Sequence, residues 1–218
     1  MPSVTVENYL KRILLLGEGR DLVSMGALAE AMEVTPGTVT SMAKALAAEG
    51  WVEHRPRGGV RLTDRGRRMA LNVVRRHRLV ETFLVKTLGM DWADVHAEAE
   101  ELEHAISERL LGRIDAVLGH PKTDPHGDPI PSAQGAVSER AARTLVSFPV
   151  QVNARVLRVR DQSAMFLALV EKLGLKPGAR VRVLERDLVS GVVQLGLRDG
   201  SRQPLGLAEA GKIEVYAG

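Results

Sequence analysis

The sequence contains no cysteine, which excludes a disulfide framework and any thiolate metal site and is compatible with a cytoplasmic protein. It has no long apolar run and no signal peptide, so we expect neither membrane insertion nor secretion by the usual route. Aromatic residues make up only 3% of the 218 residues, and the core must therefore be built from Leu, Val and Ala. With no cysteine and no serine in a nucleophile-elbow motif, nothing indicates an enzyme with a side-chain nucleophile.

The charged residues are distributed unevenly along the chain. The formal net charge is only +3, but Arg and Lys are concentrated in residues 55–78 and acidic residues in residues 81–108. A basic segment is typical of nucleic-acid binding, and an acidic segment can bind cations. The two segments therefore predict two different binding functions.

The first third of the chain predicts a winged helix-turn-helix. Apolar residues recur there at helical spacing, and Thr35 followed by Pro36 is a good start for a third helix. A hairpin directly after that helix would form the wing. The predicted elements are helices at 6–16, 25–32 and 36–49 and strands at 51–55 and 60–62.

The exposed side of the predicted third helix carries small hydroxyl side chains and one lysine, which suit close approach to a DNA groove and contact with phosphate. Arginines at the tip of the wing are placed to reach the DNA backbone or a minor groove. The alternative is a helical hairpin used only for packing. The predicted residues that contact double-stranded operator DNA are Thr35, Pro36, Gly37, Thr38, Thr40, Ser41, Lys44, Arg55 and Arg57.

A group of histidines and glutamates follows the basic segment. If residues 92–111 form one helix, as their pattern predicts, then His96, Glu100, Glu103 and His104 lie within an arc of roughly 100° on that helix. Such nitrogen and oxygen ligands suit Mn, Fe(II), Co or Zn. The preceding helix, predicted at 63–88, adds the i, i+4 pair His77 and Glu81. The alternative is a solvated acidic helix face, but two pairs on neighbouring helices favour a metal site.

A further helix is predicted at 112–118. The helical region has more apolar residues than one hairpin needs to bury. We expect this surplus to form a homodimer surface, consistent with binding to two-fold symmetric, palindromic DNA sites. The apolar residues concerned are Leu102, Ile106, Leu110, Leu111, Ile114 and Val117.

Residues 120–131 are rich in proline, glycine and aspartate and end the helical region. His120, Asp124 and His126 raise the possibility of another metal site, but turn chemistry accounts for the Asp-Pro and His-Gly pairs, and turns are the preferred interpretation. From Phe148 onward, apolar residues alternate with period two, interrupted by one helix at 163–173. This pattern predicts a small five-stranded barrel.

Taken together, these motifs resemble the diphtheria-toxin-repressor family of metal-dependent transcriptional repressors, in its long form with a C-terminal SH3-like domain. The resemblance is carried by residues 7–10, the winged helix, and residues 76–81, 88–96, 103–107 and 120–131. It implies a mainly α fold with a small β part. The implied organisation is a winged helix-turn-helix DNA-binding domain at 1–72, a helical metal-binding and dimerisation domain at 73–133, a linker at 134–147 and an SH3-like domain at 148–218.

The resemblance also implies two metal sites. One is formed by His77, Glu81 and His96, to which the SH3-like domain would add Asp161. The other uses Glu100, Glu103 and His104 together with Asn8 of the first helix. Manganese-type members have Glu at the position of Glu100, where iron-type members have Cys, which tilts the preference toward Mn(II) over Fe(II). Other divalent transition metals are expected to substitute in vitro.

Two other functions are possible on the sequence alone. The motif Glu101-Leu102-Glu103-His104 matches the Glu-x-x-His motif of carboxylate di-metal enzymes, but those enzymes need a second copy on a four-helix bundle, and we find none. A winged-helix regulator that senses an organic ligand or a protein partner is the other alternative. The favoured function is a metal-dependent repressor of metal-ion homeostasis, which is not an enzyme.

Overall fold

The computed structural model describes residues 2–17, 22–138 and 140–218, which form two compact units. The first unit consists of Met1–His77, Glu103–Ile106 and Pro131–Ala136. The second consists of Arg78–Leu102, Ser107–Ile130 and Val137–Gly218.

The first unit is built around the predicted winged helix-turn-helix. The second and third helices start at the predicted residues, because the hydroxyls of Ser24 and Thr35 accept hydrogen bonds from the backbone N–H groups of Ala27 and Thr38. The first helix starts at Val4, two residues before the predicted start. The side chains of the third helix that face inward are Val39, Ala43 and Leu46. The elements are α1 (Val4–Leu16), α2 (Met25–Ala31), α3 (Pro36–Ala48), β1 (Val52–Arg55), β2 (Gly59–Leu62) and the first half of α4 (Asp64–Leu88).

Helix α4 begins tightly against the start of the wing. The Thr63 hydroxyl accepts a hydrogen bond from the N–H of Gly66 at 3.1 Å and donates to the carbonyl oxygen of Gly50 at 2.8 Å. A Cβ atom on Gly66 would lie 2.0 Å from the carbonyl oxygen of Trp51. Only glycine therefore allows this close approach.

Replacing Gly66 with alanine should destabilise the first unit by about 3 kcal/mol, because overpacking against backbone cannot be relieved by rotating a side chain. Gly112→Ala is the matched control, since nothing lies within 4 Å of its added Cβ. The control should be neutral or slightly stabilising, because alanine is the better helix former. Denaturant unfolding of both variants measures the difference, and equal stability would contradict the close approach.

The second unit contains the rest of α4, two short helices and the C-terminal sheet. Its sheet is antiparallel throughout, with the strand order β3-β8-β4-β5-β6-β7. The elements are α5 (Val95–Leu102), α6 (Glu108–Val117), β3 (Arg143–Thr144), β4 (Asn153–Val159), α7 (Ala164–Lys172), β5 (Arg180–Asp187), β6 (Val192–Leu197), β7 (Arg202–Gly206), α8 (Leu207–Ala210) and β8 (Ile213–Ala217).

The core of the second unit lies on one face of the sheet, where alternate residues of the strands are buried, as the period-two pattern predicts. Val183, Leu195 and Ile213 are fully buried there, and Phe166 and Leu167 of α7 pack in the same cluster. The sheet has six strands instead of the predicted five because the two-residue strand β3 pairs with β8. The predicted SH3-like class is confirmed.

The prediction of one helix over 92–111 is wrong. Helix α5 ends at Leu102, and α6 starts after Ser107, whose hydroxyl accepts a hydrogen bond from the N–H of Leu110. Glu103 and His104 therefore lie beyond the end of α5 and are not on one helical stripe with His96. No helix in the described residues is long and apolar enough to cross a membrane.

Candidate metal centres and DNA-binding surface

The third helix presents the predicted DNA-contacting residues on its outer side. Val39, Ala43 and Leu46 are buried, which leaves the opposite face to solvent. The hydroxyl of Thr40 donates to the carbonyl oxygen of Pro36 at 2.8 Å, so it is engaged in a hydrogen bond within the helix. The exposed residues of this face are Thr35, Pro36, Gly37, Thr38, Ser41 and Lys44.

The wing is fastened at its base and exposed at its tip. Val23 and Val60 exchange two backbone hydrogen bonds of 2.8 and 2.9 Å, and a Cβ on Gly59 would lie 2.3 Å from the carbonyl oxygen of Val23. Arg55 and Arg57 are exposed. The wing is therefore anchored at its base and carries two exposed cations at its tip.

The first unit brings a set of polar side chains together around Glu103, which we call the Glu103 centre: Glu7, Asn8, Lys11, His77, Glu103 and His104. Glu103 is completely buried. Its Oε2 atom lies 2.6 Å from Nδ1 of His77, and its Oε1 atom lies 3.2 Å from Nε2 of His104.

Helix α1 contributes the opposite side of the Glu103 centre. Asn8 Oδ1 lies 2.7 Å from Nε2 of His104, and Glu7 Oε2 lies 2.7 Å from Nδ1 of the same ring. The predicted first-helix residue Asn8 is therefore beside His104. Glu7 was not predicted from the sequence, because an acidic residue in the first turn of a helix is explained by the helix dipole alone.

The cation beside Glu103 is the ammonium of Lys11. Its Nζ donates to Oε1 and Oε2 of Glu103 at 2.9 and 2.7 Å, and it lies 3.2 Å from Nδ1 of His77. The Lys11 side chain is only 8% exposed. Such a buried pair is sensitive to the loss of either partner, because the remaining charge stays in a low-dielectric environment.

The second unit contains another cluster, the Glu81 centre, formed by Glu81, His96, Asp124 and His126. Glu81 is completely buried, with Oε1 lying 3.1 Å from Nδ1 of His96 and Oε2 lying 3.7 Å from Nδ1 of His126. Ligand atoms of Glu81, Asp124 and His126 all lie within 4.8 Å of one another. The interpretation of residues 120–131 as turns alone therefore missed two residues of this cluster.

The tautomer of His126 follows from its hydrogen bond. Nε2 lies 2.9 Å from the carbonyl oxygen of Trp92 and must donate, since a carbonyl only accepts. In the neutral ring, Nδ1 then carries the lone pair that a metal needs. The ring also stacks on Trp92, with the ring centroids 5.3 Å apart. Burial alone would lower the pKa of His126, but Glu81 and Asp124 outweigh it, and this pKa is raised.

The loop that carries Asp124 and His126 is held by hydrogen bonds between the Asp124 side chain and the loop backbone. Asp124 Oδ1 accepts hydrogen bonds from the N–H groups of His126 and Asp128, both at 2.9 Å. A Cβ on Gly127 would lie 2.1 Å from the carbonyl oxygen of Leu157 in β4. Burial raises the pKa of Asp124 to about 7, with Asp128 and Glu81 adding to the rise.

The donors at the Glu81 centre fit a divalent cation. In the described part of the chain, Asp124 Oδ2 and His126 Nδ1 are buried without a hydrogen bond, although Arg78 Nε lies 3.5 Å from that carboxylate oxygen. Buried polar atoms normally have partners. Two carboxylates and an imidazole suit Mn(II), Fe(II) or Zn(II). The donor types at the Glu103 centre also fit a divalent cation, but the ammonium of Lys11 is hydrogen-bonded to the Glu103 carboxylate.

Two further acids and one further histidine named from the sequence have the following partners. Glu100 is half-buried on α5, with Oε1 3.5 Å from Nε2 of His96. Asp161 pairs with Lys212 at 2.8 Å and accepts a hydrogen bond from the N–H of Ser163. The exposed His120 pairs with Asp115 at 3.0 Å.

A winged helix-turn-helix, a buried His/Glu centre against its first helix and a second such centre beside an SH3-like sheet define a metal-responsive DNA-binding regulator. Three family models match successive parts of the chain. The iron dependent repressor N-terminal DNA binding domain matches residues 1–60, and the metal binding and dimerisation domain of the same repressors matches residues 63–132. The FeoA domain matches residues 143–217.

The iron-dependent repressor IdeR of Mycobacterium leprae (strain TN) is 31% identical over 222 residues, covering 96% of both chains. The chain therefore belongs to the iron-dependent repressor family, a class of metal-dependent DNA-binding transcriptional repressors that are not enzymes. The HTH-type transcriptional regulator MntR of Shouchella clausii (strain KSM-K16) is 34% identical over 114 residues, or 52% of this chain and 79% of that protein.

Solved structures extend the similarity to the whole fold. A manganese-dependent transcriptional repressor in complex with manganese has a TM-score of 0.90 and 42% identity, covering 97% of this chain and 99% of that one. ScaR with bound Zn²⁺ has a TM-score of 0.82 and 33% identity, covering 99% and 100%.

Proposed function

We propose that this chain is a homodimeric repressor of metal-ion homeostasis, activated for operator binding by Mn(II) or Fe(II). The observation that carries the proposal is the convergence of Glu103 and His104 on α1. Helix α1 packs against α2 and the wing strand β2, and α2 packs against α3. Contacts that position α1 therefore also affect the position of α3, the helix proposed to contact DNA.

The residues of the Glu103 centre act as a two-state clamp. Asn8 on α1 and His104 and Glu103 after α5 would offer oxygen and nitrogen atoms to one divalent ion, whose charge would hold them together. An ion shifts this equilibrium only by its differential affinity for the DNA-competent state. Glu103 and His104 are proposed to provide that difference.

We propose that Glu81, Asp124 and His126 hold a second divalent ion. Support comes from their mutual distances, their complete or near-complete burial and the tautomer of His126. His96, which lies against Glu81, remains a proposed ligand of the same ion. Asp161 stays a prediction, since its carboxylate is paired with Lys212.

Manganese is the proposed effector. The donors at both centres are carboxylate, amide and imidazole groups, and the chain has no thiolate to favour a softer ion. Glu100, which occupies the position where iron-type members have Cys, adds a hard oxygen. The structure with 42% identity that contains manganese supports the same choice.

A palindromic operator is proposed from the dimer. Of the apolar residues that predict a dimer surface, Leu111 and Ile114 are buried, whereas Leu102, Leu110 and Val117 are exposed at 42%, 51% and 71%. Exposed apolar side chains on α5 and α6 are typical of a surface that another copy covers. Two-fold symmetry in the protein is matched by inverted half-sites in DNA.

The test begins with selection of duplexes from a random library by the full-length protein with Mn(II), which should recover inverted repeats. Fluorescence anisotropy then measures the affinity for the selected duplex with Mn(II) and with EDTA. The parent should bind only with Mn(II), and Glu103→Gln should lose at least about 100-fold in affinity, equivalent to about 2.7 kcal/mol.

Two further variants make the result decisive. Glu101→Gln removes an exposed carboxylate two residues away and should bind like the parent. The double variant Lys11→Met/Glu103→Gln removes both members of the buried pair, so its loss of DNA binding would not reflect an unpaired buried lysine. Metal-dependent DNA binding by a folded double variant would contradict the assignment.

A further inference from the structure

One face of the C-terminal sheet carries a basic groove of about 560 Å³, which none of the functions above uses. No acidic side chain is among the described residues that line it. The basic groove is defined by five arginines on strands β4 to β7 and their connections: Arg155, Arg180, Arg182, Arg198 and Arg202.

The strand register puts these arginines on one face. Arg182 pairs with Asn153 on β4 and with Gly196 on β6, and Gly196 pairs in turn with Arg202 on β7. Directly paired residues point to the same side of a sheet. The side chains of Arg182 and Arg202 therefore rise on either side of Gly196.

A second row lies two residues further along the strands, where Arg155 on β4 pairs directly with Arg180 on β5. Arg198 follows directly after the end of β6, two residues beyond Gly196, and lines the same groove. Like charges directly opposite each other destabilise a sheet. The rows are about 7 Å apart and neighbouring strands about 5 Å apart, so the five arginines start from an area of roughly 15 Å by 7 Å.

The floor of the basic groove is open because Gly196 has no side chain. A Cβ there would lie 3.1 Å from Leu184. Arg182 donates two hydrogen bonds to Asn153 Oδ1, at 2.9 and 2.7 Å, which orients its guanidinium. Arg180, Arg198 and Arg202 are exposed and form no ion pair with any described residue.

We propose that the basic groove binds a small organic or inorganic polyanion with at least two phosphate or carboxylate groups. The guanidinium group of arginine binds either a phosphate or a carboxylate in bidentate geometry. Two rows of arginines can therefore hold two such groups of one ligand at once. The volume lies in the range of small-molecule sites. The bound anion would give the repressor a second chemical input, separate from the divalent metal.

The test uses inorganic pyrophosphate as the probe, titrated calorimetrically into the metal-free full-length protein at fixed ionic strength. Saturable binding of one pyrophosphate per chain is expected, and single phosphate should bind at least about tenfold more weakly because it engages one row only. The variant Arg182→Gln/Arg202→Gln should weaken pyrophosphate binding at least about tenfold. Thermal unfolding establishes that this variant is folded.

Arg143→Gln is the matched control, since Arg143 is an exposed arginine on β3 of the same sheet, outside the groove. Unchanged binding in the control together with loss in the double variant supports the proposal. Absence of saturable binding overturns it, as does equal loss in both variants. A single-stranded oligonucleotide or an acidic peptide that binds through Arg182 and Arg202 more tightly than pyrophosphate would also overturn it.

Discussion

Replacing Lys11 with methionine is expected to raise the affinity of the Glu103 centre for Mn(II) by at least about tenfold. In the parent, the ammonium holds both oxygens of Glu103 at 2.9 and 2.7 Å, and a divalent ion must displace it. The variant has no such competitor. Methionine is chosen because it fills a similar volume without a charge. Calorimetric titration with Mn(II) measures the affinity.

The same replacement should destabilise the metal-free protein by about 3–5 kcal/mol, because Glu103 would then be a buried carboxylate without a cation. Saturating Mn(II) should restore most of that loss, since binding to the folded state alone stabilises it. Lys86→Met serves as the control, because Lys86 is an exposed lysine of α4. Unchanged or weaker Mn(II) binding in Lys11→Met would show that the ammonium does not compete with the metal.

His126→Gln is expected to remove one of two Mn(II) equivalents per chain and leave the other intact. The ring is completely buried, its Nε2 donates to Trp92, and its Nδ1 faces Glu81. Glutamine cannot reproduce both the stacking and the lone pair. We also expect the loss of roughly 2–3 kcal/mol of stability from the cavity and the unpaired carbonyl.

His120→Gln provides the comparison for this experiment, because His120 is exposed and belongs to the same connecting segment. It should retain both Mn(II) equivalents and the parent's stability. Two equivalents in a folded His126→Gln variant would rule out His126 as a ligand. A loss of both equivalents would mean that the two centres are not independent.

Much of the fold could be predicted from local patterns. The starts of α2 and α3 follow from Ser24 and Thr35, whose caps act within four residues, and the strands of the C-terminal sheet follow from alternation. The break after α5 was missed because the apolar and acidic spacing continues through it. The hydroxyl of Ser107 starts a new helix there, a choice that spacing alone does not reveal.

Sequence by itself determined the winged helix-turn-helix, the SH3-like class and most of the histidines and glutamates of both centres, because caps, periodicity and ligand chemistry are local properties. Only the tertiary structure decided how those side chains are grouped. It placed Lys11 on Glu103 and brought Asp124 and His126 to Glu81. These residues lie 92, 43 and 45 positions apart in pairs, as counted from their numbers, and contacts over such distances depend on how segments pack, which no local pattern encodes.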